Sequence, residues 1–217
     1  MNKIISLEEA ISHIKDGMTI MVGGFLDVGT PDKIIDKLSK SSVKNLTLIC
    51  NDTAFPDRGV GKMVVNKQFK KIIVSHIGTN PETGRQLNQK EAEVELVPQG
   101  TLAERIRCGG TGLGGFLTPT GIGTIVEEGK EKITVDGKDY LLEKPLKADV
   151  ALIFGSIVDE KGNVYYNKST RNFNTIMATA ADVVIVEAEN LVKTGEINPN
   201  NVMTPGIFVD YIVKEEE

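Results

Sequence analysis

The chain has 217 residues, 40% hydrophobic and 25% charged, which fits a globular protein and speaks against disordered, collagen-like and membrane-embedded classes. Its formal charge of −5 argues against a nucleic-acid binder with a broad basic face, while leaving a local phosphate site open. Cys50 and Cys108 lie far apart with no C-x-x-C and no nearby His, so neither a zinc or other metal site nor a disulfide framework is expected, and a reducing cytoplasm fits best. Glu8 and Glu9 stand where a secretory leader would be apolar, and no run approaches the ~18 apolar residues of a membrane span. The distinctive entries are 22 glycines, no Trp and only two His.

Ser6 and Glu9 have capping-box spacing, and Leu7, Ala10, Ile11 and Ile14 follow at helical period, which predicts a helix to about Lys15. Met18 to Val22 is a short apolar run of the kind buried on both faces of a parallel sheet. After the loop Gly23 to Gly29, Thr30 is placed to cap and Pro31 to open a helix over Asp32 to Leu38. Strands are expected at Leu46–Cys50, Lys71–Ser75 and Glu93–Val97, then a helix from the capping-box spacing Thr101…Glu104 through Arg107. Asp136-Gly137 predicts a small antiparallel hairpin between Lys132 and Leu142. Further strands are read at Asp149–Phe154 and Asp182–Glu187, with a helix at Asn174–Ala180 between them. Alternating strands and helices define an α/β protein with an open, mainly parallel sheet, helices on both faces, and one domain over residues 1–217.

Gly110, Gly112 and Gly115 make a literal G-x-G-x-x-G. That fingerprint requires a preceding strand and a following helix; here a helix precedes and Pro119 and Gly121 follow, so the run is read as a compact loop rather than a dinucleotide site. The loop Gly23 to Pro31 has the right context, leaving a strand's carboxyl end and entering a helix, where backbone N–H groups and the helix dipole suit an anion. The same loop also serves as a plain tight crossover on physical grounds alone.

The stretch Asp16 to Pro31, with its acidic-Gly pair, apolar triplet, Gly23-Gly24-Phe25 and Gly29-Thr30-Pro31, resembles the α-subunit signature of the family I coenzyme A transferases. Pro98-Gln99-Gly100-Thr101-Leu102-Ala103-Glu104-Arg105-Ile106-Arg107, Arg171-Asn172-Phe173-Asn174 and Thr204-Pro205-Gly206 resemble the same family, so the likeness runs from about Asn2 to Val213. The resemblance implies transfer of CoA between acetoacetyl-CoA and a short fatty acid such as butyrate or acetate, with a succinyl-CoA-type or plain acetate transferase as the alternative. It implies CoA as substrate with no tightly bound cofactor, and a nucleophilic glutamate on a partner β subunit in an α2β2 assembly. Gly24, Phe25, Leu26, Asp27, Val28, Gly29 and Thr30 are thereby implied in CoA binding, and Gln99 as an amide donor to a carboxylate or thioester oxygen.

Glu187 and Glu189 lack the following glycines that a nucleophilic glutamate needs and read as solvated strand-end carboxylates. Cys108, flanked by Arg105 and Arg107, has no base partner, since His13 and His76 fall in unrelated segments. Lys33, Arg58, Arg85, Arg105 and Arg171 are candidates for CoA phosphates. A sugar-phosphate isomerase or sensing domain, and a purely structural assembly subunit, are the rival classes.

Overall fold

The computed structural model describes residues 3–214. In chain order it contains β1 (Ile4–Ile5), α1 (Leu7–Ser12), β2 (Thr19–Val22), α2 (Asp32–Ser39), β3 (Leu46–Ile49), α3 (Gly61–Val65), β4 (Phe69–Val74), α4 (Pro81–Asn88) and β5 (Glu93–Leu96). Then come α5 (Gln99–Thr111), β6 (Phe116–Thr118), β7 (Lys132–Val135), β8 (Lys138–Glu143), β9 (Ala148–Asp159), β10 (Val164–Tyr165), α6 (Asn174–Met177), β11 (Ala181–Val192) and β12 (Tyr211–Lys214).

The main sheet runs β1-β12-β11-β9-β2-β3-β4-β5, all parallel, with β10 added antiparallel to β9. Strand pleating sends alternate side chains to opposite faces. In β2, Ile20 and Val22 join a core with Ile34, Ile35 and Leu38 of α2 and Met63 and Val64 of α3. Met21 joins the opposite core, with Leu102 and Ile106 of α5 and Met177 of α6. Both faces of the sheet are thus covered, as parallel sheets require.

From β2 the chain steps outward through β3, β4 and β5, then returns on the other side of β2 as β9 and continues outward through β11 and β12. The reversal between β2 and β9 is the topological switch point, where open α/β sheets bind ligands beyond the carboxyl ends of their strands. The return path carries a separate antiparallel sheet, β6-β8-β7. Its hairpin turns at Asp136 (φ 49°) and Gly137 (φ 73°), as the Asp-Gly pair predicts.

Several expectations need correction. Helix α1 stops at Ser12 rather than Lys15, and α6 covers only four residues. Helix α5 begins at Gln99 with Pro98 at its cap position and runs through Gly109 and Gly110 to Thr111. Thr101 is therefore buried inside the helix at 4% exposure, and the Thr101…Glu104 spacing caps nothing. Gly109 and Gly110 are packing residues: a β-carbon would fall 1.9 Å from the Leu146 carbonyl oxygen and 2.1 Å from Thr179 Oγ1, respectively. Finally, β9 and β11 each extend to twelve residues, and Glu187 is buried rather than at a solvated strand end.

Candidate active site

The loop after β2 is shaped by its own backbone. Phe25 and Val28 exchange both N–H···O bonds, 3.1 and 2.9 Å, around Leu26 (φ 46°) and Asp27 (φ 76°), making a tight two-residue hairpin. Gly24 holds φ at 122°, and a β-carbon there would lie 2.2 Å from Thr30 Oγ1, so only glycine fits. The segment Asn172 to Asn174 clamps the loop from the far side of the switch point. Gly24 N–H donates to Asn172 Oδ1 (3.2 Å), and Asn172 Nδ2 donates to the Val28 carbonyl (2.8 Å). Asn174, fully buried, accepts from Phe154 N–H of β9 (3.0 Å) and donates to the Gly29 and Thr170 carbonyls (2.9 and 2.8 Å).

The helix end that the loop feeds does not stand open for an anion. Thr30 makes no capping bond; Pro31 is at the cap position of α2. Instead the buried carboxylate of Glu187, arriving from β11, accepts from Lys33 N–H (3.2 Å) and Ile34 N–H (2.8 Å). The chain supplies its own anion to the positive end of α2. With the N–H groups of Gly24, Phe25, Leu26 and Val28 also bonded internally, what this loop leaves open to a ligand is the pair flanking the turn, Phe25 and Val28, exposed at 41% and 45%.

Under the hairpin, Asp27 meets Asp32. Asp32 as a residue is exposed, yet its carboxyl is pushed up to about 7, first by desolvation and then by the Asp27 and Asp36 charges, with Lys62 opposing. Asp27 is raised by desolvation as well, against the pull of Arg58. An unfolded aspartate titrates near ~3.9, so between about pH 4 and pH 7 the folded chain holds the extra proton and stability falls as pH rises. Asp32→Asn lacks that loss. It is expected to match the parent near pH 4 and exceed it by about 1 kcal/mol at pH 8, a value damped by solvent screening; urea unfolding across this range checks it.

A pocket of about 420 Å³ opens at the carboxyl ends of β2 to β5, lined by Phe25, Leu26, Asn51, Asp52, Ser75, His76 and Gln99. Asn51 and Asp52 are buried at 1% and 5% exposure. Gln99 Nε2 donates to Asn51 Oδ1 (2.9 Å), and Ser75 Oγ lies 2.7 Å from the Asn51 carbonyl oxygen and 3.0 Å from Oδ1. Asn51 Nδ2 donates to Asp52 Oδ2 (2.8 Å), which also accepts Leu26 N–H (2.9 Å), while Oδ1 accepts Ala54 N–H (2.8 Å). Asp52 therefore ties the β2 hairpin to the loop after β3. That loop repeats the hairpin's pattern, Phe55-Pro56-Asp57-Arg58-Gly59 matching Phe25-Leu26-Asp27-Val28-Gly29, each with a bridge between its first and fourth residues.

Of the sequence-derived candidates, the structure brings Gln99, Phe25 and Leu26 into one pocket and adds Asn51, Asp52, Ser75 and His76, which the sequence reading passed over. Three of the candidate arginines have structural partners. Arg85 pairs with Glu82 and Glu91, Arg105 with Glu95 and more distantly with Glu143, and Arg58 with Asp57 while lying over the Phe55 ring. Arg171 is exposed. Cys108 is fully buried, and His13 stacks on Tyr211 with ring centroids 4.5 Å apart. Glu189 is exposed. Among the described residues no helix is long and apolar enough to cross a membrane, and no group of three or more His, Cys, Asp or Glu is placed to hold a metal ion.

Residues 4–215 match the coenzyme A transferase family, and the chain belongs to that family. It is 59% identical over 214 residues to the acetoacetyl-CoA:acetate/butyrate CoA transferase alpha subunit of Clostridium acetobutylicum, covering 99% of this chain and 98% of that one. It is 55% identical over 215 residues to the acetate CoA-transferase subunit alpha of Escherichia coli K12, covering 99% and 98%. By fold it resembles an acyl-CoA transferase from E. coli O157:H7 in a thioester complex with CoA, with a TM-score of 0.88 at 23% identity; the match spans 99% of this chain and 47% of that one, so this chain is about half its length. Glutaconate coenzyme A-transferase from Acidaminococcus fermentans superposes with a TM-score of 0.83 at 19% identity, over 98% and 75% of the two chains.

Proposed function

We propose that this chain is the α subunit of a heteromeric, cytoplasmic CoA transferase that moves CoA between acetoacetyl-CoA and a short fatty acid, butyrate or acetate. The observation that carries the reading is the 59% identity, over nearly the whole of both chains, to an alpha subunit named for that reaction. The companion is a β subunit in an α2β2 assembly, and it brings the nucleophilic glutamate.

In the proposed cycle the β-subunit carboxylate attacks the acyl-CoA carbonyl carbon; the C–S bond breaks, giving an acyl–glutamyl anhydride and CoA thiolate. The thiolate attacks the glutamyl carbonyl of the anhydride, releasing the first carboxylate and leaving a glutamyl-CoA thioester. The acceptor carboxylate then reverses both steps. Gln99, with one amide proton given to Asn51, has its second proton for the oxygen on which charge develops. Loop residues Gly24 to Thr30 border the CoA path, with Phe25 and Val28 in contact and Gly24, Leu26, Asp27, Gly29 and Thr30 maintaining the hairpin.

Transferase assays of the chain alone and co-produced with its β partner test this reading. The pair is expected to be active and the chain alone inactive; full activity alone, or none with the pair, overturns it. In the same assay Val28→Asp is expected to raise KM for acyl-CoA about tenfold through repulsion of the CoA phosphates, and an unchanged KM removes the loop from the CoA path.

A further inference from the structure

The acid Asp52 and the amide Asn51 are buried one residue apart, and together they decide how the exposed amide of Gln99 is turned. We propose that Asp52 and Asn51 are positioning residues that fix the polarity of the Gln99 amide; the inference rests on the transferase reading, in which Gln99 faces the reacting oxygen.

The constraint begins at the backbone. The Asp52 carboxylate accepts on both oxygens, from Ala54 N–H on Oδ1 (2.8 Å) and from Leu26 N–H on Oδ2 (2.9 Å). A neighbour facing Oδ2 must therefore present a donor, and Asn51 does so through Nδ2 at 2.8 Å. A carboxamide has its donor and acceptor at opposite corners, so Asn51 Oδ1 is compelled to face the other way. There it accepts from Gln99 Nε2 at 2.9 Å, with Ser75 Oγ at 3.0 Å. Gln99 must in turn give its nitrogen to Asn51, which leaves its second N–H and its Oε1 for the pocket. With Asp52 absent, Asn51 could turn over and present Nδ2, and Gln99 would then meet it through Oε1. The burial of Asn51 and Asp52 keeps water from substituting for the bond between them.

This arrangement explains why an acid that cannot itself reach a substrate freely lines the same pocket as Gln99. Each oxygen of Asp52 is already committed to the main chain, and its reach into the chemistry passes through Asn51.

A double-mutant cycle on the assembled αβ enzyme tests the relay. Asn51→Ala is expected to lower kcat about 10-fold with KM for acyl-CoA within about twofold, because misorientation of a reacting-site group acts on the chemical step. In a Gln99→Ala background the same substitution is expected to change kcat less than about twofold, since there is no amide left to orient. Asn51→Ser, which keeps a hydroxyl for Ser75 but falls short of Gln99, serves where the alanine variant fails to assemble, and the same pattern is expected of it. Equal losses in both backgrounds overturn the relay and make Asn51 merely structural. A wild-type level of activity in Gln99→Ala alone overturns the assigned role of Gln99 instead, so the two failures are distinguishable.

Discussion

Replacing Gln99 by alanine is expected to lower kcat of the assembled transferase about 100-fold, the loss typical of a single donor to a developing oxyanion. The side chain stands at the first residue of α5, immediately past β5, and its Nε2 is held by Asn51. Because it is exposed at the helix start, its removal opens no core cavity, and the fold should tolerate the change. KM for the acyl-CoA is expected to stay within about twofold, since the donor counts most when the carbonyl oxygen gains charge. Steady-state kinetics in both directions checks this; a raised KM with unchanged kcat would place Gln99 in ground-state binding.

Glu187→Ala is expected to destabilise the fold by about 3 kcal/mol, from two charge-assisted bonds lost and a buried side chain removed. Lys33 N–H and Ile34 N–H then lose their acceptor at a helix start that has no side-chain cap of its own. At roughly 2–4 °C per kcal/mol for a chain of this size, Tm should fall by about 6–12 °C. Glu187→Gln, which keeps one acceptor oxygen, is expected to lose about half as much. Thr30→Ala, at the residue that the sequence marks as a cap, should cost less than either. Thermal unfolding of the three variants decides between the local cap and the distant one; a larger loss for Thr30→Ala would reinstate the local one.

That contrast shows where sequence is informative and where it is not. The unit β2, loop and α2 was legible because an apolar run, a Gly-rich loop and a helix-opening Pro31 are all local signals, and the β7–β8 hairpin because Asp136-Gly137 demands one turn type. The cap of α2 was not legible: Glu187 lies 153 residues from Ile34, and only the register of β11 beside β9 brings it there. Helices α3 and α4 escaped because they are short and, in α4, bury Thr83 and Gln86 rather than an apolar stripe. Thr101…Glu104 misled because Pro98, three residues earlier, starts the helix first. The pocket was half legible. Gln99 entered through resemblance to a family, whereas Asn51, Ser75 and His76 follow the last residues of β3 and β4. Positions just beyond the carboxyl ends of successive parallel strands are where α/β proteins gather a site, and that rule applied strand by strand would have found them.

The pairing of Ile4 and Ile5 with Ile212 and Val213 has a consequence for synthesis. At about 5–20 residues per second, a ribosome takes on the order of 10–40 s to reach Ile212 after releasing Ile4. Throughout that interval β12, the strand that Ile4 and Ile5 pair with, has yet to be made. This edge of the sheet therefore closes only after the strands β2 to β11 that lie between β1 and β12 in sequence have been made.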